Sequence, residues 1–269
     1  MLSVSNRNSK PLTPYRTSRP TTSKIIFLSC EGSVTEEQYF GLFYKLYEEV
    51  RSKIQFISVA EDVVRVPARL RTREQLTLVS KNRPIQLVQR IENFKSKNEE
   101  KYQFSEYPED EFWIVTDVDN NWSTAIINES EGKSYLDEWN DAVALCNQEG
   151  YHYAISNPFF EIWLLLHHDS VTAEDKQFAV TAEHSYEKTD HFRKRLEALG
   201  VPLKDKKKIK EEDYTKENIA VAVRRAKELH VDPTDLMPKY FSTTVYMLVD
   251  KILEMADSKQ ESPKDRTVE

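Results

Sequence analysis

The sequence predicts an α/β fold in which helices flank a parallel β-sheet, with a helical C-terminal elaboration. Two continuous apolar runs, at residues 25–30 and 112–116, are typical of strands that are buried on both faces of a parallel sheet. A third run follows at 151–155, and segments with helical periodicity separate the three. This alternation favours parallel strands that are joined by right-handed crossovers.

Helix-forming segments lie between the predicted strands. Apolar residues recur in them every three or four positions, which is the spacing of one helix face. The helix at 159–168 is apolar almost all round, so we expect it to be buried. Strands are expected at 25–30, 54–59, 112–116 and 151–155, and helices at 34–50, from Pro84 onward, and at 132–148, 159–168 and 219–229, with a further helix capped by Ser242.

An acidic residue stands directly after the first predicted strand. Ser33 or Thr35 can cap the helix that follows, and Glu36 or Gln38 three residues later would close a capping box. Glu31 therefore lies in the strand-to-helix turn, at the carboxyl edge of the strand. Open α/β sheets bind their ligands at this edge.

Two further acids, Asp117 and Asp119, follow the strand at 112–116. Residues two positions apart on an extended chain can point their carboxylates in the same direction. Together with Glu31 they would form a cluster of hard oxygen ligands, which suits Mg²⁺ or Mn²⁺ better than zinc. The alternative is that each acid only forms a turn or caps a helix, as acids after strands commonly do.

Several motifs resemble known protein families. The Glu31-Gly32 pair and the Asp117-x-Asp119 motif are similar to the signature of the Toprim domain. The string Ser-Asn-Pro-Phe-Phe-Glu-Ile-Trp-Leu-Leu-Leu-His at 156–167, and residues 242–245, resemble the RloB family over about residues 24–253. That resemblance implies a Toprim-like core, similar to the AbiLii abortive-infection component. It also implies a bacterial antiphage or abortive-infection role beside an AAA/ABC-type ATPase.

The acidic cluster and the resemblance together predict a metal-dependent nuclease. Glu31, Asp117 and Asp119 are the expected catalytic residues and metal ligands. Asp117 and Asp119 would hold the cation, while Glu31 adds a ligand or relays a proton. Two alternatives stay open: nucleotidyl transfer of the primase kind, and a non-catalytic subunit that binds or regulates a defence ATPase.

Glu161 is the one carboxylate in the apolar helix at 159–168. Because carboxylates are rarely buried unless they are paired or bound to a metal, it could be a fourth metal ligand. The alternative is that it compensates the backbone N–H groups at the helix start. His167, at the end of the same helix, has no second ligand at regular spacing and is predicted to be structural.

Basic residues concentrate between positions 184 and 210, where they could follow a phosphate backbone. The alternative is a solvated helix with a lysine-rich loop, since acids follow at 211–213. The substrate would be DNA, RNA or tRNA. The predicted nucleic-acid-binding residues are Arg193, Lys194, Lys206, Lys207 and Lys208.

Composition limits the function classes. The five glycines do not form a Gly-x-x-x-x-Gly-Lys loop, so any ATP hydrolysis must come from a partner. No apolar run reaches the roughly 18 residues of a membrane span, and two cysteines favour a reduced cytoplasm. A net charge of −7 argues against non-specific binding of nucleic acid by the surface as a whole.

Composition also divides the chain into four segments. We predict a flexible basic arm at 1–23, a Toprim-like α/β core at 24–168, a charged helical region packed on the core at 169–256, and a tail at 257–269. A tyrosine-based topoisomerase is disfavoured, because its separate breakage domain has no room in this chain. Homo-oligomerisation is left open.

Overall fold

The structure is a computed structural model of the chain. It describes residues 19, 23–32, 34–57, 83–118, 122–128, 132–181, 185–205, 208–230, 232, 234 and 241–257.

A five-stranded sheet forms the centre of the described residues. Its strands are β1 (Ile26–Cys30), β2 (Ile54–Phe56), β3 (Glu111–Asp117), β6 (His152–Asn157) and β7 (Ser242–Thr243). The strand order is β2-β1-β3-β6-β7, and all neighbours are parallel except β6 and β7. Two short strands, β4 (Ile126–Asn128) and β5 (Lys133–Ser134), form a separate antiparallel pair.

Helices cover both faces of this sheet. They are α1 (Thr35–Gly41), α2 (Phe43–Leu46), α3 (Pro84–Tyr102), α4 (Tyr135–Glu149), α5 (Glu161–Leu166), α6 (Ala173–Thr181), α7 (Ser185–Ala198), α8 (Lys216–Leu229) and α9 (Val245–Asp257). The mostly parallel sheet with flanking helices confirms the predicted α/β class. It is consistent with a Toprim-like fold.

Two hydrophobic cores lie on opposite sides of the sheet. Successive strand residues point to opposite faces, so β1 contributes Ile26 and Leu28 to one core and Phe27 to the other. Helices α3 and α4 close the core that contains Phe27. Helices α1, α5, α7, α8 and α9 contribute to the core that contains Leu28. Burial on both faces explains why the strands read as continuous apolar runs.

The predicted helix at 34–50 is divided into shorter pieces. Helices α1 and α2 are followed by a single turn of 3-10 helix at Glu48–Val50. Val34 is the N-cap residue of α1 and makes no side-chain cap, so the predicted capping box is wrong for Thr35. Glu36 accepts a hydrogen bond from the Gly32 N–H instead, and Ser33 lies outside the described residues.

The C-terminal region takes part in the sheet as well as packing on it. Ser242 pairs with Asn157 in the antiparallel β6–β7 ladder. The prediction that Ser242 caps a helix is therefore wrong, because α9 begins only at Val245. The hydroxyl of Thr243 accepts the Val245 N–H at 3.2 Å.

Arg19 fastens the chain to the amino edge of the sheet. Its guanidinium forms two hydrogen bonds with the Asp110 carboxylate, at 2.7 and 2.9 Å, and lies 3.7 Å from the Tyr107 ring centroid. The same carboxylate accepts the Ile25 N–H at 2.8 Å. At Arg19 the predicted flexible arm is thus held to the fold; residues 1–18 lie outside the described residues, and there the arm stays a prediction.

None of the helices in the described ranges is long and apolar enough to cross a membrane.

Candidate active site at the carboxyl edge of the sheet

Glu31 and Asp117 lie next to each other at the carboxyl ends of two neighbouring parallel strands. The Glu31 N–H donates to the Val115 carbonyl at 2.8 Å, which extends the β1–β3 ladder by one residue. One carboxylate oxygen of Glu31, Oε2, accepts the Thr116 hydroxyl at 2.5 Å and the Asp117 N–H at 3.0 Å. These two bonds orient the Glu31 carboxylate over the end of β3.

Polar groups continue along the same edge onto β6 and β7. Asp117 is in register with Ser156, and Ser156 is in register with Thr243. The Ser156 and Thr243 hydroxyls are 3.1 Å apart, and both residues are buried. This part of the edge was not predicted, because Ser242 and Thr243 follow β6 by more than 80 residues and have no strand pattern of their own.

Glu36 is a third acid at the edge, and its position in the sequence predicted only a role in a capping box. It is 5% exposed, and its Oε1 accepts the Gly32 N–H at 3.1 Å. Burial, together with the negative charges of Glu31 and Glu161, raises the pKa of Glu36 to about 7. The signal that could have found it is a second acid just after the Glu31-Gly32 turn.

Glu161 has a partner that no sequence pattern indicates. Its Oε1 accepts a hydrogen bond from Arg193 Nε on α7 at 2.8 Å, and the Nη2 atom of the same guanidinium lies 2.7 Å away. No side chain caps the N-terminus of α5. Arg193 is therefore the counter-ion of Glu161, and its nucleic-acid-binding role stays a prediction. A metal-ligand role for Glu161 stays a prediction.

Arg90 on α3 brings a positive charge to the same edge. Its guanidinium donates to the Cys30 carbonyl at 2.9 Å, in the peptide group that precedes Glu31. Arg90 is half-buried, and burial lowers the pKa of its guanidinium, while the Glu37 carboxylate on α1 acts in the opposite direction. Sequence patterns did not single out Arg90, because an arginine on a solvated helix face is common.

His167 belongs to the hydrophobic core. Its Nδ1 lies 2.9 Å from the Trp163 carbonyl, so this nitrogen carries the proton, and Nε2 accepts the Tyr39 hydroxyl at 3.0 Å. Burial lowers the pKa of His167 to about 3, which keeps the ring neutral. These contacts agree with the predicted structural role.

The predicted basic patch is described only in part. Lys204 and Lys208 pair through two backbone hydrogen bonds, at 2.7 and 2.8 Å, and both side chains are exposed. The Ile209 N–H donates to Gln38 Oε1 at 3.2 Å, which fastens this lysine hairpin (204–208) to α1. Lys194 on α7 is exposed, whereas Lys206 and Lys207 lie outside the described residues.

The donors at the edge are mainly carboxylate and hydroxyl oxygens, and their chemistry fits Mg²⁺ or Mn²⁺. Among the residues that the structure describes, no three His, Cys, Asp or Glu side chains form a metal-binding group. Asp119, which was predicted to be a ligand beside Asp117, lies outside those residues. The described part of the predicted set therefore consists of Glu31 and Asp117 at the edge, with Glu161 bound to Arg193.

The fold and this edge define an α/β protein with a carboxylate site at the ends of its parallel strands. A family model described as RloB-like protein matches residues 26–252. The chain belongs to this RloB-like family, as its motifs predicted. No curated protein and no solved structure matches the chain. Its similarity to Toprim domains and to the AbiLii component stays a prediction.

Proposed function

We propose that the protein is a metal-dependent nuclease that hydrolyses phosphodiester bonds in a bacterial antiphage or abortive-infection system. The observation that carries this proposal is the contact between Glu31 and Asp117. The backbone N–H of Asp117, at the end of β3, orients the Glu31 carboxylate at the end of β1. Membership of the RloB-like family is compatible with it. The proposed cofactor is Mg²⁺ or Mn²⁺.

The residues have distinct proposed roles. Asp117 and Asp119 would hold the cation, which when bound would neutralise negative charge on the phosphate and the leaving oxygen. Glu31 adds a ligand or accepts a proton from the attacking water. The Thr116 hydroxyl and the Asp117 N–H occupy one oxygen of Glu31 and so fix its orientation before substrate binds.

A nucleic acid has to approach an edge that carries several carboxylates. The Arg90 guanidinium and the exposed ammonium groups of Lys194, Lys204 and Lys208 offer positive charge on α3, α7 and the lysine hairpin. Local positive charge of this kind can attract phosphates despite a net charge of −7. An AAA/ABC-type ATPase is the proposed partner, and it would supply the ATP hydrolysis.

The test is incubation of the purified protein with labelled DNA, RNA and tRNA in Mg²⁺ or Mn²⁺, with and without the neighbouring ATPase. We expect metal-dependent cleavage that the ATPase increases and that EDTA abolishes. Labelled nucleoside triphosphates in the same reactions would detect nucleotidyl transfer. Binding of the ATPase without any cleavage, in all metals and on all substrates, would favour the non-catalytic alternative.

A further inference from the structure

We propose that Glu36 is a positioning residue that fixes the turn carrying Glu31, and that position 32 is glycine because the Glu36 carboxyl group occupies the space of a side chain there. The link to catalysis rests on the proposed function, whereas the structural part of the proposal does not.

The first observation is how the turn is held. The Gly32 N–H donates to Glu36 Oε1 at 3.1 Å, across four residues of chain. The N-cap residue of α1, Val34, makes no side-chain hydrogen bond that caps the helix. Glu36 thus reaches back past the helix start to bind the residue that follows Glu31.

The second observation is the space above Gly32. A Cβ atom at this position would lie 2.0 Å from Glu36 Oε2 and 2.5 Å from Glu36 Cδ. At Gly41, at the other end of the same helix, the corresponding position has no atom of the described residues within 4 Å apart from its chain neighbours and the adjacent helix backbone. Any side chain at position 32 would therefore push the Glu36 carboxyl group away, while one at position 41 would not.

The contact depends on reach rather than on charge. Glu36 is 5% exposed and lies near the negative charges of Glu31 and Glu161, so a charge on Glu36 is opposed by its surroundings. A neutral acid or an amide of the same length also offers an acceptor oxygen to the Gly32 N–H. A shorter carboxylate keeps the charge but withdraws the oxygen by one methylene group.

Glu31 is consequently held at two points. Its side chain is bonded to Thr116 and Asp117, and the residue after it is bonded to Glu36. If the Gly32–Glu36 hydrogen bond is lost, the backbone of the turn can move, and the Glu31 carboxylate, although still bonded to Thr116 and Asp117, can then be displaced. Displacing a catalytic group by about 1 Å can lower a rate on the order of 100-fold.

The experiment compares Glu36→Gln and Glu36→Asp with Gly32→Ala and its matched control Gly41→Ala. Hydrogen exchange of peptides that cover residues 31–36 reports the turn independently of activity, and thermal melts report global folding. We expect wild-type exchange in Glu36→Gln and Gly41→Ala, and faster exchange in Glu36→Asp and Gly32→Ala. In cleavage assays the last two should lose kcat by about tenfold or more, with little change in KM.

Several outcomes would overturn the proposal. If Glu36→Asp is active and Glu36→Gln is not, the site needs the charge, and Glu36 is a ligand or proton carrier instead. If residues 31–36 exchange as slowly in Gly32→Ala as in Gly41→Ala, the contact between Glu36 and Gly32 does not hold the turn. If Gly32→Ala fails to fold, the comparison of Glu36→Gln with Glu36→Asp still tests the proposal. Absence of cleavage in every variant and in the wild type would refute the nuclease function, while the exchange data would still test the positioning.

Discussion

Asp117 contributes two separate groups to the candidate site, a carboxylate and a backbone N–H. The N–H donates to Glu31, so replacing the side chain leaves this hydrogen bond in place. We therefore expect Asp117→Ala to abolish cleavage, by on the order of 100-fold or more, without loss of folding. Asp119→Ala is expected to do the same.

Cleavage rates and thermal melts would be measured together. Glu111→Gln is a suitable control, because Glu111 begins the strand that Asp117 ends and so lies at the opposite edge of the sheet. Wild-type cleavage by Asp117→Ala would contradict the metal-site assignment.

Glu161 and Arg193 form an ion pair in which the Glu161 side chain is buried. Removing one member of a buried pair leaves the other charge without compensation, which typically costs about 3 kcal/mol or more. We expect Arg193→Met to destabilise the protein strongly. The double variant Glu161→Gln/Arg193→Met should recover part of that loss, because it leaves no buried charge without a partner.

Urea unfolding of the two single variants and the double variant would give this coupling free energy. Strictly additive losses would show that the pair is not coupled. Weaker stabilisation by added Mg²⁺ in Glu161→Gln would support the metal-ligand role.

His167 predicts a pH dependence of stability. Its pKa is about 3 in the folded protein and about 6.5 in an unfolded chain, so between these values only the unfolded state binds the proton. Stability should therefore fall as the pH decreases from 6.5 toward 3. Glu36 acts in the opposite direction between pH 7 and 4.5, because its raised pKa lets the folded state bind the extra proton.

The difference between wild type and His167→Gln isolates the histidine contribution. Between pH 7 and pH 5 the wild type should lose about 2 kcal/mol more unfolding free energy than this variant. Equal losses in chemical denaturation at the two pH values would show that His167 is not held neutral.

At the scale of elements, the lysine hairpin (204–208) stands beside the helix that follows Glu31. Because the Ile209 N–H is bonded to Gln38 on α1, the hairpin is fixed relative to the helix that follows the Glu31 turn. We expect Lys204→Gln and Lys208→Gln each to weaken nucleic-acid binding and to lower the salt dependence by about one counterion per lost phosphate contact.

Binding would be measured in EDTA, so that cleavage cannot interfere. Lys133→Gln is the matched control, since this lysine is exposed and ion-paired, as Lys208 is, but lies just before α4. An unchanged salt slope in both hairpin variants would exclude the hairpin from the nucleic-acid interface.

At the scale of the whole molecule, Arg19 and the candidate site lie at opposite edges of one sheet. Arg19 and Asp110 are both buried, and the pair closes the amino edge. Arg19→Ala should destabilise the fold by about 3 kcal/mol, because it leaves the Asp110 carboxylate buried without its counter-ion. Cleavage per folded molecule should not change.

Denaturant unfolding of Arg19→Ala would be compared with that of Lys24→Ala, whose pair with Glu111 is more exposed. Surface pairs contribute little, so the control should lose less than about 1 kcal/mol. A similar small loss in both variants would mean that Arg19 is not part of the folded core.

The sequence alone determined the α/β class, the positions of β1, β3 and β6, and the placement of Glu31 and Asp117 at one edge. These features follow from local properties, because a strand buried on both faces is a continuous apolar run and parallel strands end at a common edge. The start of α1 was predicted to within one residue, whereas the predicted cap by Thr35 was wrong.

Only the tertiary structure decided which partners the buried polar groups have. Arg193 is 32 residues from Glu161 along the chain, and Ser242 on β7 is 85 residues from Asn157, with which it pairs. The contact between the Glu36 carboxyl group and Gly32 likewise depends on the orientation of α1 relative to β1. Such pairings are set by the packing of whole helices and strands, and local periodicity does not predict which distant residue will be the partner.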